Sequence, residues 1–214
     1  MHTQLLTLGA SVSLAESILR AKDLLLSGQL VAFPTDTVYG LAAAAFNPTA
    51  IKQLYRVKGR QSTKAIAVLI GNPGALEQVT DNINSIARQL AEHFWPGPLT
   101  LVVARHPSLP ALLSPQPTIG VRMPNHPVAL ALLNLTGPLA VTSANRSGQP
   151  DATTAQEVDK QLGGRIPLIL DGGPTPGGRP STVVDSTLPE LTILREGPIS
   201  LAELRSSLAG MSPD

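Results

Sequence analysis

Leu30-Val31-Ala32-Phe33-Pro34-Thr35-Asp36-Thr37-Val38-Tyr39-Gly40-Leu41 reads as a short buried strand, Leu30 to Phe33, that runs through a proline into a loop dense in hydroxyl and carboxylate side chains. Loops of this make-up commonly hold small polar ligands. Alone, the same residues also describe a proline-nucleated turn in which threonine and aspartate bond their own backbone.

Outward from this stretch, helices and strands interleave. Ser13 and Glu16 form a capping box that opens a helix to about Ser27. Asn47-Pro48 caps a second helix running towards Arg56. A strand is expected near Ala65 to Ile70, a helix near Asn82 to His93, and strands near Leu99 to Val103 and Ile119 to Arg122. His126-Pro127 opens a helix that ends at Gly137, and Leu139 to Thr142 follows as a strand. Thr154 with Glu157 makes another capping box, and Leu168 to Leu170, Thr182 to Val184 and Leu191 to Leu194 read as short strands. Ser200 and Glu203 box the last helix. Several late strands follow one another without a helix between them, so a strict alternation of strand and helix is excluded. The expected fold class is α+β, a mixed α/β arrangement. It is one domain over 1–214, with a core at about 13–200 and a twisted, mixed parallel and antiparallel sheet flanked by helices.

The chain has 214 residues, 43% of them hydrophobic and 14% charged, which is enough to bury one large core. It contains no cysteine, excluding disulfides and thiolate metal sites and fitting a cytoplasmic address. Its longest apolar runs, Leu41 to Phe46 among them, are far too short to cross a bilayer, so no membrane role is expected. Glycine fingerprints for dinucleotides, phosphate-binding P-loops and helical zinc motifs are missing. The net charge of +1 hides an uneven distribution. Between Thr37 and Pro150 nine basic residues face only Glu77, Asp81 and Glu92. A basic face for a phosphate-rich ligand follows, or else a solvated basic surface.

Two further stretches bear on chemistry. Lys58-Gly59-Arg60, with Lys64 close behind, is a basic cluster without a neighbouring acid. Arginine grips phosphate through paired hydrogen bonds and lysine adds a compact charge, although an exposed helix C-terminus has the same composition. Thr142-Ser143-Ala144-Asn145-Arg146-Ser147-Gly148 lies just beyond a strand, where α/β proteins place ligands.

In their order these segments resemble the YrdC-type threonylcarbamoyl-AMP synthase family from about Ser13 to Ser200. The matching text is FPTDTVYGL (33–41), KGR with Lys64 (58–64), FWPGPLTLV (94–102), VRMPNHP (121–127), VTSANRSGQP (141–150), STVVD (181–185) and LREG (194–197). The family's K-x-R…S-x-N signature falls on Lys58, Arg60, Ser143 and Asn145. The resemblance implies a concave basic surface that makes threonylcarbamoyl-adenylate from L-threonine, bicarbonate and ATP for tRNA modification. It implies that Lys58 and Arg60 are catalytic, that Lys58, Arg60, Ser143, Ala144, Asn145 and Arg195 bind ATP, and that Thr35, Lys64, Arg122, Thr142 and Ser181 bind threonine. Mg²⁺ is expected to bridge the phosphates. It has no assigned ligands, and Asp36 is the nearest acid in the first motif.

Gln61, Ala65, Leu69 and Asp151 depart from residues frequent in the family, and positions 69 and 151 touch the expected threonine and nucleotide sides. Seventeen residues follow Gly197, the expectation for a short form without an appended domain. The product would pass to a tRNA threonylcarbamoyltransferase. The alternative is a module that binds tRNA or double-stranded RNA without forming the adenylate. Aromatic residues make up only 3% of the chain, which leaves few platforms for stacking single-stranded bases. A related carbamoyl-adenylate domain of hydrogenase maturation usually accompanies cysteine-rich zinc segments, which this chain lacks.

Overall fold

The capping box at Ser13 opens α1 (Leu14–Leu26): the Ser13 hydroxyl accepts from the Glu16 N–H at 3.2 Å, and the Glu16 carboxylate accepts from the Ser13 N–H at 3.1 Å. Asn47 likewise caps α2 (Pro48–Lys58), with Pro48 at its first position. This helix ends at Gly59, whose φ of 62° lies in the left-handed region that favours glycine. The computed structural model describes residues 2–9, 13–188 and 190–209. The remaining helices are α3 (Ser85–Phe94), α4 (Pro127–Thr136), α5 (Ala155–Leu162) and α6 (Leu201–Ala209).

The strands are β1 (Gln4–Thr7), β2 (Val31–Phe33), β3 (Gly40–Ala44), β4 (Ala67–Leu69), β5 (Leu99–Ala104), β6 (Thr118–Arg122), β7 (Leu139–Ser143), β8 (Leu168–Asp171), β9 (Thr182–Asp185) and β10 (Thr192–Arg195). They form one sheet in the order β1-β8-β2-β3-β7-β4-β6-β5-β9-β10. Pairs β1–β8, β8–β2, β4–β6 and β5–β9 are parallel and the other five antiparallel, giving the mixed sheet expected. The sequence pattern does not mark β1 or β3 as strands. Gly40–Ala44 sets Leu41 among glycine and alanines, with four of the five positions buried, so it lacks both the polar alternation and the β-branched side chains that mark a strand.

The period-two alternation divides this sheet into two unlike faces. On one, Val68, Leu99, Leu101, Val103, Ile119, Val121, Ala140 and Val184 pack against apolar residues of α2, α3, α5 and α6. On the other, Val31, Phe33, Ala42, Leu139, Val141, Leu168 and Leu170 are covered by α1 and α4. Ile18 and Leu25 of α1 are buried there, each contributing roughly 1.5–3 kcal/mol. Among the described residues no helix covers the rest of that second face. Ala67, Thr100, Val102, Gly120 and Val183 form instead the floor of an open cavity. The site is therefore the half of a sheet face that α1 and α4 leave bare.

Candidate active site

The cavity encloses about 310 Å³. Its floor is flat because its side chains are small: a Cβ added at Gly120 would come within 3.0 Å of the Thr100 methyl carbon and 3.5 Å of the Ala67 Cβ. Arg60, Arg122 and Arg195 line the walls. Three guanidinium groups around an apolar floor suit a ligand with several anionic groups and an apolar part.

Arg122, at the end of β6, is 6% exposed. Its Nε donates to the Gly97 carbonyl at 3.0 Å, Nη1 to the Thr37 hydroxyl at 3.0 Å, and Nη2 to Asp36 Oδ1 at 2.5 Å. A guanidinium has five N–H groups, so one remains on each terminal nitrogen, a pair suited to a carboxylate. Burial works against its charge and Asp36 supports it. The other Asp36 oxygen is buried without a partner. Asp36, the nearest acid in the first motif, is thus the counter-ion of Arg122.

The loop after β2 is wired to the same arginine. Thr35 Oγ1 lies 3.0 Å from Thr37 Oγ1, donates to the Val38 carbonyl at 2.7 Å, and accepts from the Thr37 N–H at 3.2 Å. Thr35 lines the cavity, but these bonds engage its hydroxyl fully, so it shapes the loop that aims Arg122. Tyr39 fixes the loop's far end by donating to the Gly173 carbonyl at 2.7 Å, and burial pushes its hydroxyl up to about 12.

Lys58 is where expectation and geometry differ most. It is 2% exposed and does not line the cavity. Its ammonium donates to the main-chain oxygens of Ser143 and Asn145 and, at 3.2 Å, to Asn145 Oδ1, which engages all three of its protons. Burial, then the nearby Arg60 charge, pulls its pKa down to about 8, opposed by Asp151. The Ser143 hydroxyl donates to Asn145 Oδ1 at 2.6 Å, and the Asn145 amide donates to the Gln149 carbonyl at 2.6 Å. Lys58 therefore holds the loop after β7 in shape from behind. The expectation that it contacts phosphate directly does not match this placement. Ala144 is fully buried with its N–H on the Tyr39 carbonyl at 2.8 Å. Neither Ala144 nor Asn145 lines the cavity, whereas Thr142 and Ser143 do. Alternation along β7 gives Thr142 the face opposite Ser143.

Arg60 lines the cavity, with Nη2 on the Ala65 carbonyl at 2.7 Å and Nε on the Lys64 carbonyl at 3.3 Å. Three N–H groups stay available for a ligand. Lys64 itself is exposed and outside the lining, so the structure does not bring it to the threonine side. Arg195 donates from Nε and Nη2 to the Ser181 carbonyl at 3.1 and 2.8 Å, and from Nη2 to the Ser181 hydroxyl at 3.0 Å. The Ser181 hydroxyl also bonds that of Thr100 at 2.8 Å. Thr37, Thr100 and Gly120 were missed as site residues. Thr100 had a signal: a hydroxyl between Leu99 and Leu101 faces away from the core by strand alternation.

The Sua5/YciO/YrdC family model, described as "Telomere recombination", matches residues 23–197. A protein of Mycobacterium tuberculosis is 40% identical over 195 residues, covering 91% of this chain and 90% of its own length. The Bacillus subtilis protein named threonylcarbamoyl-AMP synthase is 42% identical over 203 residues, 92% of this chain and 58% of its own. Among solved structures, Pyrococcus abyssi Sua5 complexed with L-threonine superposes with a TM-score of 0.92 at 38% identity, covering 96% of this chain and 61% of that one. The chain thus spans about three fifths of these last two relatives. With the family model matched across the sheet and the cavity, the chain belongs to the Sua5/YciO/YrdC family.

Proposed function

We propose that this chain is a threonylcarbamoyl-AMP synthase, joining L-threonine, bicarbonate and ATP with release of pyrophosphate. The observation that carries the reading is the trio Arg60, Arg122 and Arg195 around a small-residue floor, with two N–H groups of Arg122 left for a carboxylate. The names of the relatives support the same activity.

The chemistry divides into two steps. The threonine amine adds to bicarbonate, forming a carbamate and releasing water. A carbamate oxygen then attacks the α-phosphorus of ATP, the bond to the β-phosphate oxygen breaks, and pyrophosphate leaves. No side-chain nucleophile is required. The chain's residues position and neutralise anions that would otherwise repel one another. Arg122, fixed by Asp36, Thr37 and Gly97, holds the threonine carboxylate. Arg60 and Arg195 face the triphosphate. Lys58 keeps the Ser143–Asn145 loop in shape, and Ser143 and Ser181 present hydroxyls at the cavity wall.

Mg²⁺ would supply further charge neutralisation on the phosphates. Among the described residues no group of three or more histidine, aspartate or glutamate side chains could hold a metal, and Asp36 is committed to Arg122. The described residues do not fit a protein-built metal site. We place the protein in the cytoplasm, working as one domain, with its product passed to a tRNA threonylcarbamoyltransferase. No described helix is long and apolar enough to cross a membrane.

The test is pyrophosphate release from ATP with threonine and bicarbonate supplied together and singly. Release that needs both supports the reading. RNA binding with a steep salt dependence and no threonine-dependent release would support the RNA-binding alternative instead.

A further inference from the structure

The pairing of β9 with β10 shifts by one residue at Leu194. Thr192 pairs with Asp185 and Ile193 with Val184, but Arg195 pairs with Val183. In a regular antiparallel ladder Leu194 would pair with Val183 and Arg195 with Thr182. Val183 lines the cavity, whereas Thr182 is fully buried on the core side, its hydroxyl bonded to the Ile199 carbonyl at 2.8 Å. Leu194 is therefore the extra residue of a β-bulge, a device that re-aims a side chain beside a site. Without it Arg195 would turn towards the core.

The bulge also gives the cavity two consecutive side chains. Leu194 and Arg195 both line it, and Leu194 is 57% exposed, the most open of the large apolar side chains among the described residues. Beside it lie Pro180 and Val183, also in the cavity lining. An apolar surface next to a guanidinium fits a ligand whose flat, weakly polar part adjoins an anionic part.

We propose that Leu194 is the platform for the adenine ring of ATP, set by the bulge beside the arginine that meets the phosphates. The inference rests on the synthase reading and adds to it the residue that recognises the base. Because Leu194 lies on an exposed edge strand, Leu194→Ala leaves the core untouched. Calorimetric titration with ATP and with inorganic tripolyphosphate, each against the unmodified chain and Leu194→Ala, tests the proposal. ATP binding should weaken about five- to ten-fold, the scale expected for losing part of a leucine's apolar contact, while tripolyphosphate binding stays unchanged. Unchanged ATP affinity in the variant overturns the platform. So does an equal weakening of both ligands, since Leu194 would then act only through Arg195. If the unmodified chain binds no ATP, the synthase reading itself fails, a result separate from either outcome.

Discussion

Lys58 and Asn145, 87 residues apart in sequence, form one buried unit: the Lys58 ammonium bonds both the main-chain oxygen and, at 3.2 Å, the side-chain oxygen of Asn145. The basic half of the K-x-R…S-x-N signature thus supports its polar half. Ser147 extends the link, its N–H donating to the Lys58 carbonyl at 2.9 Å.

Lys58→Ala should consequently destabilise the fold as well as abolish activity. It strips the buried Ser143 and Asn145 main-chain oxygens of this donor and leaves Asn145 Oδ1 to the Ser143 hydroxyl alone, a loss of roughly 3 kcal/mol. Arg60→Ala should fold normally and lose about 100-fold or more in kcat/KM for ATP, because its guanidinium bonds only neighbouring carbonyls and faces the cavity. Denaturant midpoints beside steady-state rates check both. Equal midpoints for Lys58→Ala and the unmodified chain would contradict the clamp.

Arg122→Ala should raise KM for threonine far more than for ATP, by about 100-fold, and should also lower stability. The stability loss arises because Asp36, its side chain 11% exposed, would be left as an unpaired carboxylate. Adding Asp36→Asn should recover part of the stability without recovering threonine use, a coupling that a double-mutant cycle measures. Recovery of threonine use in the double variant would contradict Arg122 as the carboxylate partner.

The pH dependence separates activity from stability. Lys58 loses its proton near pH 8, and a neutral amine clamps the loop less well, so kcat/KM should fall as pH rises through about 8. Stability should move the other way. Burial depresses this pKa below its ordinary 10.5, so between those values the unfolded chain carries more protons and unfolding becomes less favourable as pH increases. Melting scans and rates from pH 7 to about 10 would reveal both trends. A parallel fall in the two would contradict the assignment.

Legibility in the sequence followed the physics of each feature. Capping boxes at Ser13, Thr154 and Ser200 are local, three residues from cap to carboxylate, and all three appear as read. Strand β3 is illegible as text because it is Leu41 among glycine and alanines, buried on both faces, where alternation has no meaning. The Leu194 bulge escaped because a register shift is fixed by the neighbouring strand. As text, the cluster Lys58-Gly59-Arg60 offers both of its cations to phosphate. Only the fold turns Lys58 inward to the Ser143–Asn145 loop and leaves Arg60 facing the cavity.

Serine should be used less well than threonine wherever the apolar floor accepts the methyl group, by about ten-fold or more in kcat/KM, since one methyl contact is worth about 1–3 kcal/mol. Competition between the two amino acids in one reaction gives the ratio directly. Equal specificity constants would contradict a fitted floor.

The most direct test of the account is the product formed from ¹³C-bicarbonate, threonine and ATP. Mass spectrometry of the quenched reaction should find threonylcarbamoyl-adenylate carrying the labelled carbon, in amounts equal to the pyrophosphate released, and neither should form when threonine is omitted. Pyrophosphate released without threonine, or a product that lacks the label, would contradict the activity proposed for this cavity.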